Sequence, residues 1–339
     1  MKINCHNTFD PLKEAILGSV STTLVNSIEN KNKKEIIQDI INDTIEDLDN
    51  IQKILNSFGV KVHRPNCEYN FSKHLTTPSF DIQSWHVPLC PRDLFFTYED
   101  ILVITGAMEH NRYFEHHCYE DIVTEYFDDG SHVVAMPQSA LSNSVYENVD
   151  QDFEFVNNNF PMFAAANLTK YGRDIFVNSR LSANNKGIEW IKRQMGQDYR
   201  YHFANKKTPG HIDGIFNILK PGVVSSVVPK QFLPDFFDSW DVICMDDVDP
   251  RRLRTMPELV TDDLQDDDFE GTFLGYNIFS IDQENILISE SAPVEILKKL
   301  EKHKFNIIFA DLRHTNFLNQ GLTCITLDTV RDGNLDDYS

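Results

Sequence analysis

The chain has 339 residues, 41% of them hydrophobic and 11% aromatic, with 24 Phe. That is enough apolar side chain to bury a sizeable core and too much for a disordered chain. Lys and Arg number 31 against 52 Asp and Glu, a formal charge of −21, and a surface so negative repels nucleic acid and anionic lipid, which argues against a DNA, RNA or membrane-surface binder. No apolar run reaches the roughly 18 residues of a spanning helix. Residues Met1–Cys5 carry no apolar signal-peptide core, and the expected compartment is the cytoplasm. Cys5, Cys67, Cys90, Cys118, Cys244 and Cys324 show no CxxC spacing, which fits neither a zinc site nor a dense disulfide framework. In a reducing compartment they are free thiols, most of them small core residues.

The first strong signal is a helix from about Lys33 to Phe58. Ile37, Ile41, Ile45, Leu48, Leu55 and Phe58 recur at helical spacing, Asp39, Asp43, Glu46, Asp47 and Asp49 fill the polar side, and Gly59 ends it. Val60–Val62 then begins a strand. Ile101–Ile104 reads as a buried strand, Tyr119–Phe127 as a helix closed by Asp-Asp-Gly, and His132–Ala135 and Ile175–Val177 as strands. Gly187–Met195 is helical and Tyr199–Phe203 extended. Lys220-Pro221-Gly222 turns a hairpin between Ile215–Leu219 and Val223–Val228. Trp240–Met245 is a strand, and the acidic, Pro-punctuated stretch 246–270 a surface loop. A second hairpin pairs Asn277–Ile281 with Asn285–Ser289, followed by a helix at Pro293–His303 and strands at Ile307–Phe309 and Leu322–Leu327. The polar tail, 332–339, is expected to fray. The rhythm is that of α/β units, and with no linker in view the expectation is one domain over 1–339. Neither GxGxxG after a strand nor GxxxxGK[ST] occurs, so no dinucleotide or P-loop site is indicated.

Three stretches join reactive side chains to turn residues: Cys90-Pro91-Arg92-Asp93-Leu94, Pro209-Gly210-His211-Ile212-Asp213-Gly214, and Gln320–Asp328 around Cys324. In an extended segment His211 and Asp213 share one face, yet an isolated HxD is more often a surface loop with a satisfied His. Cys324 alone reads as a buried inert thiol, though Gly321 permits close approach. Arg92-Asp93 alone reads as a surface ion pair of little energy. His116-His117 cannot face each other on a helix. Asp266–Asp268 lacks the Gly and the terminal Glu of a calcium loop.

Taken in order, these stretches carry a resemblance. With Asn7–Leu12 and Gly18, Arg112-Tyr113-Phe114-Glu115, Gly172–Phe176, Gly187–Trp190, His211–Ile218 and Gly321–Thr329, the chain resembles the amidinotransferases, which act on glycine, inosamine phosphates and toxin precursors. The resemblance implies an α/β fold, a five-bladed propeller of ββαβ modules with pseudo-fivefold symmetry. It implies transfer of the amidino group of L-arginine to an acceptor amine, with release of L-ornithine and no cofactor or metal. Cys324 is then the nucleophile and His211 the general acid–base, with Asp93 and Asp213 clamping the guanidinium beside Arg92. Homodimers occur in the family.

One departure stands out. The family's F-[DE]-A-A-[DN] segment reads Phe163-Ala164-Ala165-Ala166-Asn167 here, so Ala164 occupies the place of the triad acid. A loss of about 10⁴-fold in rate is plausible by analogy with Ser–His–Asp enzymes. The expectation is an inactivated variant, a made substrate trap being favoured over a natural inactive member. Gly210 and Lys230, where glycine-using relatives carry Met and Arg, suggest an acceptor larger than glycine. Arginine-deiminase-like hydrolysis and non-catalytic binding of a guanidino ligand are the rival readings.

Overall fold

The computed structural model describes residues 1–338 apart from 83–84, 107–109, 139–159, 180–181, 205–210, 245–276, 319 and 337. Among the described residues, seventeen strands form five three-stranded sheets and one two-stranded hairpin. The first sheet holds β1 (Leu12–Leu17) and β2 (Lys61–His63), linked by helix α1 (Lys31–Ser57). The hairpin of β3 (Leu75–Thr76) and β4 (Asp81–Ile82) follows. One helical turn, α2 (Pro91–Leu94), opens the second sheet: β5 (Phe95–Tyr98), β6 (Ile101–Ile104), α3 (Glu120–Asp128) and β7 (His132–Ala135). A 3₁₀ turn, Ala165–Asn167, opens the third: β8 (Leu168–Tyr171), β9 (Asp174–Val177), α4 (Asn185–Met195) and β10 (Arg200–Phe203). The turn α5 (Ile212–Ile215) opens the fourth: β11 (Phe216–Lys220), β12 (Val223–Ser226), two 3₁₀ turns and β13 (Asp241–Cys244). The fifth comprises β14 (Phe279–Ser280), β15 (Asn285–Ile288), α6 (Val294–Lys302) and β16 (Asn306–Phe309). After α7 (Thr315–Leu318) and α8 (Leu322–Ile325), β17 (Thr326–Arg331) returns to complete the first sheet beside β1.

All five sheets repeat one plan. The first two strands are antiparallel, and the third runs parallel to the second. A parallel pair needs a crossover, which is why helices or 3₁₀ turns stand before each third strand. Burial tells inside from outside. Every residue of β5 and β17 is buried, whereas β7 and β16 expose both end residues and β10 its last. The sheets are the blades of a five-bladed α/β propeller, with β5, β8, β11, β14 and β17 innermost.

Helix α1 illustrates how sequence builds the periphery. The Asn30 side chain caps it by accepting from the Lys33 amide. Its buried face is Ile37, Ile40, Ile41, Leu48, Ile51 and Leu55, each contributing roughly 1.5–3 kcal/mol by leaving water. Gly59, at φ 78°, then takes the left-handed turn into β2. Asp47, assigned to the solvent side from the sequence, is buried, because Arg313 Nε reaches its carboxylate at 2.8 Å.

Several expectations need correcting. Leu322–Leu327 is not one strand: Leu322–Ile325 coil into α8, and the strand starts at Thr326. Nor do His211 and Asp213 share one extended segment: His211 has extended backbone (φ −72°, ψ 153°), but Asp213 lies inside α5. The tail does not simply fray. Tyr338 stacks on Tyr171 with ring centroids 4.3 Å apart, and its hydroxyl accepts from Asn7 Nδ2 at 3.1 Å. The acidic stretch 246–270 and Asp266–Asp268 lie outside the described residues.

Candidate active site

Among the described residues, four of the five blades begin with a single helical turn just before the innermost strand. These turns, α2, Ala165–Asn167, α5 and α8, pack against one another around the axis. They carry Asp93, Asn167, His211 with Asp213, and Cys324 respectively. The fifth blade contributes Asn277, whose Nδ2 donates to the Asp213 carbonyl at 2.8 Å. Its Oδ1 accepts from the Thr323 amide at 2.6 Å and the Thr323 hydroxyl at 2.7 Å. Asn277 thus ties the turn bearing Asp213 to the turn bearing Cys324. Gly321 makes this possible: a Cβ there would sit 2.7 Å from the Asn277 side chain.

Both carboxylates are held by one oxygen. Asp93 Oδ2 accepts from Arg112 Nη1 at 2.6 Å, and Asp213 Oδ2 from the Thr323 hydroxyl at 3.1 Å. Arg112 is itself fixed by Glu115 Oε2, 2.6 Å from its Nε. The second oxygens, Asp93 Oδ1 and Asp213 Oδ1, are buried and accept no hydrogen bond. His211 Nδ1 stands 3.4 Å from Asp93 Oδ1, and Ser182 Oγ lies 2.7 Å from its Nε2. Cys324 is 8% exposed, and its thiol interacts with the Asp213 carboxylate.

The electrostatics follow from burial and pairing. Burial works to raise the Asp93 carboxyl, but Arg112 and then His211 outweigh it and hold it well below the usual carboxylate range. Burial pushes the Asp213 carboxyl up, only partly opposed by His211 and Arg92. Burial alone would lower the His211 imidazole; Asp93 and Asp213 hold it above its ordinary value. Burial, then Asp213 and Asp93, push the Cys324 thiol well up. Two carboxylates, an imidazole and a thiol thus share one buried slot, in which burial and the carboxylates both disfavour the thiolate.

Cys324, His211, Asp93 and Asp213 are therefore brought to one cluster from three blades. Two residues expected to touch substrate have other partners. Arg92 Nη2 pairs with Asp328 Oδ1 at 2.8 Å, and the same guanidinium donates to the carbonyls of Thr323 and Thr326 on either side of Cys324. Lys230 is exposed, its Nζ donating to the Trp240 carbonyl at 2.8 Å. Gly210 lies outside the described residues. Ala164 is buried at the head of its turn, its amide donating to the Ser182 carbonyl at 2.7 Å. Sequence reasoning missed Asn277 and Ser182. No local signal marks either, because both act through chain segments distant in sequence.

Comparison with known proteins bears on the chain as a whole. No family model matches the chain. Glycine amidinotransferase from Gallus gallus is 28% identical over 370 residues, covering 98% of this chain and 84% of the relative. Inosamine-phosphate amidinotransferase StrB1 from Streptomyces griseus superposes with a TM-score of 0.81 at 26% identity, over 99% of both chains. SxtG, an amidinotransferase from Microseira wollei in the saxitoxin biosynthetic pathway, superposes with a TM-score of 0.79 at 26% identity, over the whole of both. The chain is thus similar to amidinotransferases along its whole length. The resemblance carried by scattered motifs extends along the whole propeller, and those motifs supply the turns that meet at the axis. Among the described residues no helix is long and apolar enough to cross a membrane.

Proposed function

We propose that this protein is an amidinotransferase that takes the amidino group from L-arginine, holds it on Cys324 and passes it to an acceptor amine. The observation that carries the reading is the pair of buried oxygens, Asp93 Oδ1 and Asp213 Oδ1, that accept no hydrogen bond, His211 Nδ1 standing 3.4 Å from the first, in the cluster that holds the Cys324 thiol. Buried carboxylate oxygens without donors are costly, and the planar fork of a guanidinium supplies donors to both at once.

Arginine brings a positive charge to the slot, so His211 no longer serves as the counterion there and releases its extra proton. His211 then takes the proton of Cys324, and the thiolate attacks the guanidinium carbon. The bond from that carbon to the side-chain nitrogen of ornithine breaks, and His211 returns the proton to the departing amine. A neutral acceptor amine attacks the amidino carbon, gives a proton to His211, and the thiolate leaves. Arg92 positions the nucleophile by gripping the carbonyls flanking it. The acceptor is proposed as larger than glycine on the strength of Gly210 and Lys230, the Lys230 Nζ donating to the Trp240 carbonyl. Incubation with arginine and glycine, lysine or larger amines checks this, with glycine as best acceptor as the contrary result.

Arginine affinity follows pH with a definite sign. His211 has a raised pKa in the free protein, and the bound guanidinium lowers it. Between those two values affinity rises by up to about tenfold per pH unit, with one proton released on binding. Calorimetry in buffers of different ionisation enthalpy reads the proton directly; pH-independent binding without release would contradict the scheme. Ornithine with a new guanidino compound marks transfer, whereas citrulline marks hydrolysis. Ala164 favours a second reading, a protein that binds a guanidino ligand without turnover. Tight arginine binding with no ornithine under any condition supports that reading instead.

A further inference from the structure

An alanine at 164 leaves the imidazole without the acid the family places there, yet its outer nitrogen is not bare. Ser182 Oγ lies 2.7 Å from His211 Nε2. Asn167 Nδ2 donates to the same oxygen at 2.8 Å, and Asn167 is fully buried. Backbone bonds fix the segment: the Ala164 amide donates to the Ser182 carbonyl at 2.7 Å, and Phe163 bridges Ala183. Ser182 therefore stands directly beside the position that lacks a carboxylate, on a neighbouring stretch of chain.

We propose that Ser182, oriented by Asn167, is the positioning residue for His211, a neutral replacement for the acid that accepts the Nε2–H and leaves Nδ1 to exchange protons with substrate. The inference rests on reading His211 as the general acid–base. A hydroxyl oxygen has two acceptor sites and one donor. Asn167 Nδ2–H fills one acceptor site and His211 Nε2–H the other; half-buried Ser182 keeps its own proton for solvent. Nδ1 faces Asp93 at 3.4 Å and so looks into the carboxylate slot. Each transfer then uses Nδ1 alone: a proton arrives from the thiol, leaves to ornithine, and arrives again from the acceptor. Nε2 keeps its proton throughout. Fixing the tautomer is what an acid in this place accomplishes. A hydroxyl does so without adding negative charge, so the imidazolium owes its stability to Asp93 and Asp213 and loses it when a guanidinium occupies them.

The test uses the full chain with ¹⁵N-labelled histidine. In the unsubstituted protein, long-range ¹H–¹⁵N correlation above the His211 titration should show the neutral ring as the Nε2–H tautomer. Ser182→Ala should shift it toward Nδ1–H or a mixture. The same variant should lower kcat for ornithine release about 10- to 100-fold with KM for arginine unchanged within about twofold, and Ser182→Thr should restore both tautomer and rate. An Nδ1–H tautomer in the unsubstituted protein overturns the proposal, because Ser182 would then be donating. So does a Ser182→Ala protein with an unaltered tautomer. If the unsubstituted protein releases no ornithine, the reading of the reaction fails, while the tautomer still decides the part played by Ser182.

Discussion

Cys324→Ser abolishes ornithine release from arginine, with kcat down by at least about 10⁴-fold, while arginine still binds. In the proposed reaction Cys324 is the nucleophile, the one group whose loss nothing nearby can replace. Cys90 is fully buried and its thiol is pushed well up by burial and by Asp93, so it cannot stand in. The proposed guanidinium clamp is untouched by the change, since Asp93 and Asp213 draw their support from Arg112 and Thr323. Affinity measured by calorimetry should move by less than about tenfold. Mass spectrometry of the unsubstituted protein incubated with arginine and no acceptor should find an amidino group on Cys324, and none on the serine protein. Full turnover by Cys324→Ser would remove this thiol from the reaction.

The second large effect concerns stability. Asp328 is fully buried and bridges two guanidinium groups, Arg92 Nη2 at 2.8 Å and Arg331 Nε at 2.9 Å. Arg331 also donates to the carbonyls of Asp10 and Ser280, so one carboxylate anchors the innermost strand of the first blade to the fifth. Burial works against its ionisation, but Lys170, Arg92 and Arg331 together hold it well below the usual range. Asp328→Asn leaves buried cations uncompensated, and unfolding free energy should fall by about 3–5 kcal/mol, read from denaturant midpoints at unchanged m-value. The sign with pH is fixed. The folded-state pKa is depressed, so the carboxylate's contribution is complete above the unfolded value near 3.8 and disappears as pH falls through the folded value. The asparagine protein should therefore differ most from the parent at neutral pH and least in strong acid. Equal stability of the two at pH 7 would show that the bridge contributes nothing.

Much of the scaffold could be read from periodicity alone. The stripe of α1, the run Ile101–Ile104 and the hairpin about Pro221 each give a long enough or strong enough pattern. The innermost strands β5 and β8 escaped because they are buried on both faces and show no alternation. The helical turns around the axis escaped for a different reason: four residues are too few for a 3.6-residue period to appear. Chemistry was legible there where geometry was not, since Cys, His and Asp in ordered motifs named the cluster. What a side chain reaches cannot be seen in a string of letters. Arg92 looked like a substrate ligand, yet its guanidinium is occupied by Asp328 and two carbonyls. Ser182 looked like nothing, because its partners Asn167 and His211 lie 15 and 29 positions away.

The closure of the first blade by β17 has a consequence for biogenesis. Cys324 sits two residues ahead of a strand whose partner, β1, lies more than three hundred positions upstream. Such distant pairing slows assembly. A ribosome-bound chain that has not yet made Thr326–Arg331 can already carry Cys324 and build four blades, but α8 then has no β17 behind it to hold the thiol in the cluster. The proposed site is complete only when the ring closes.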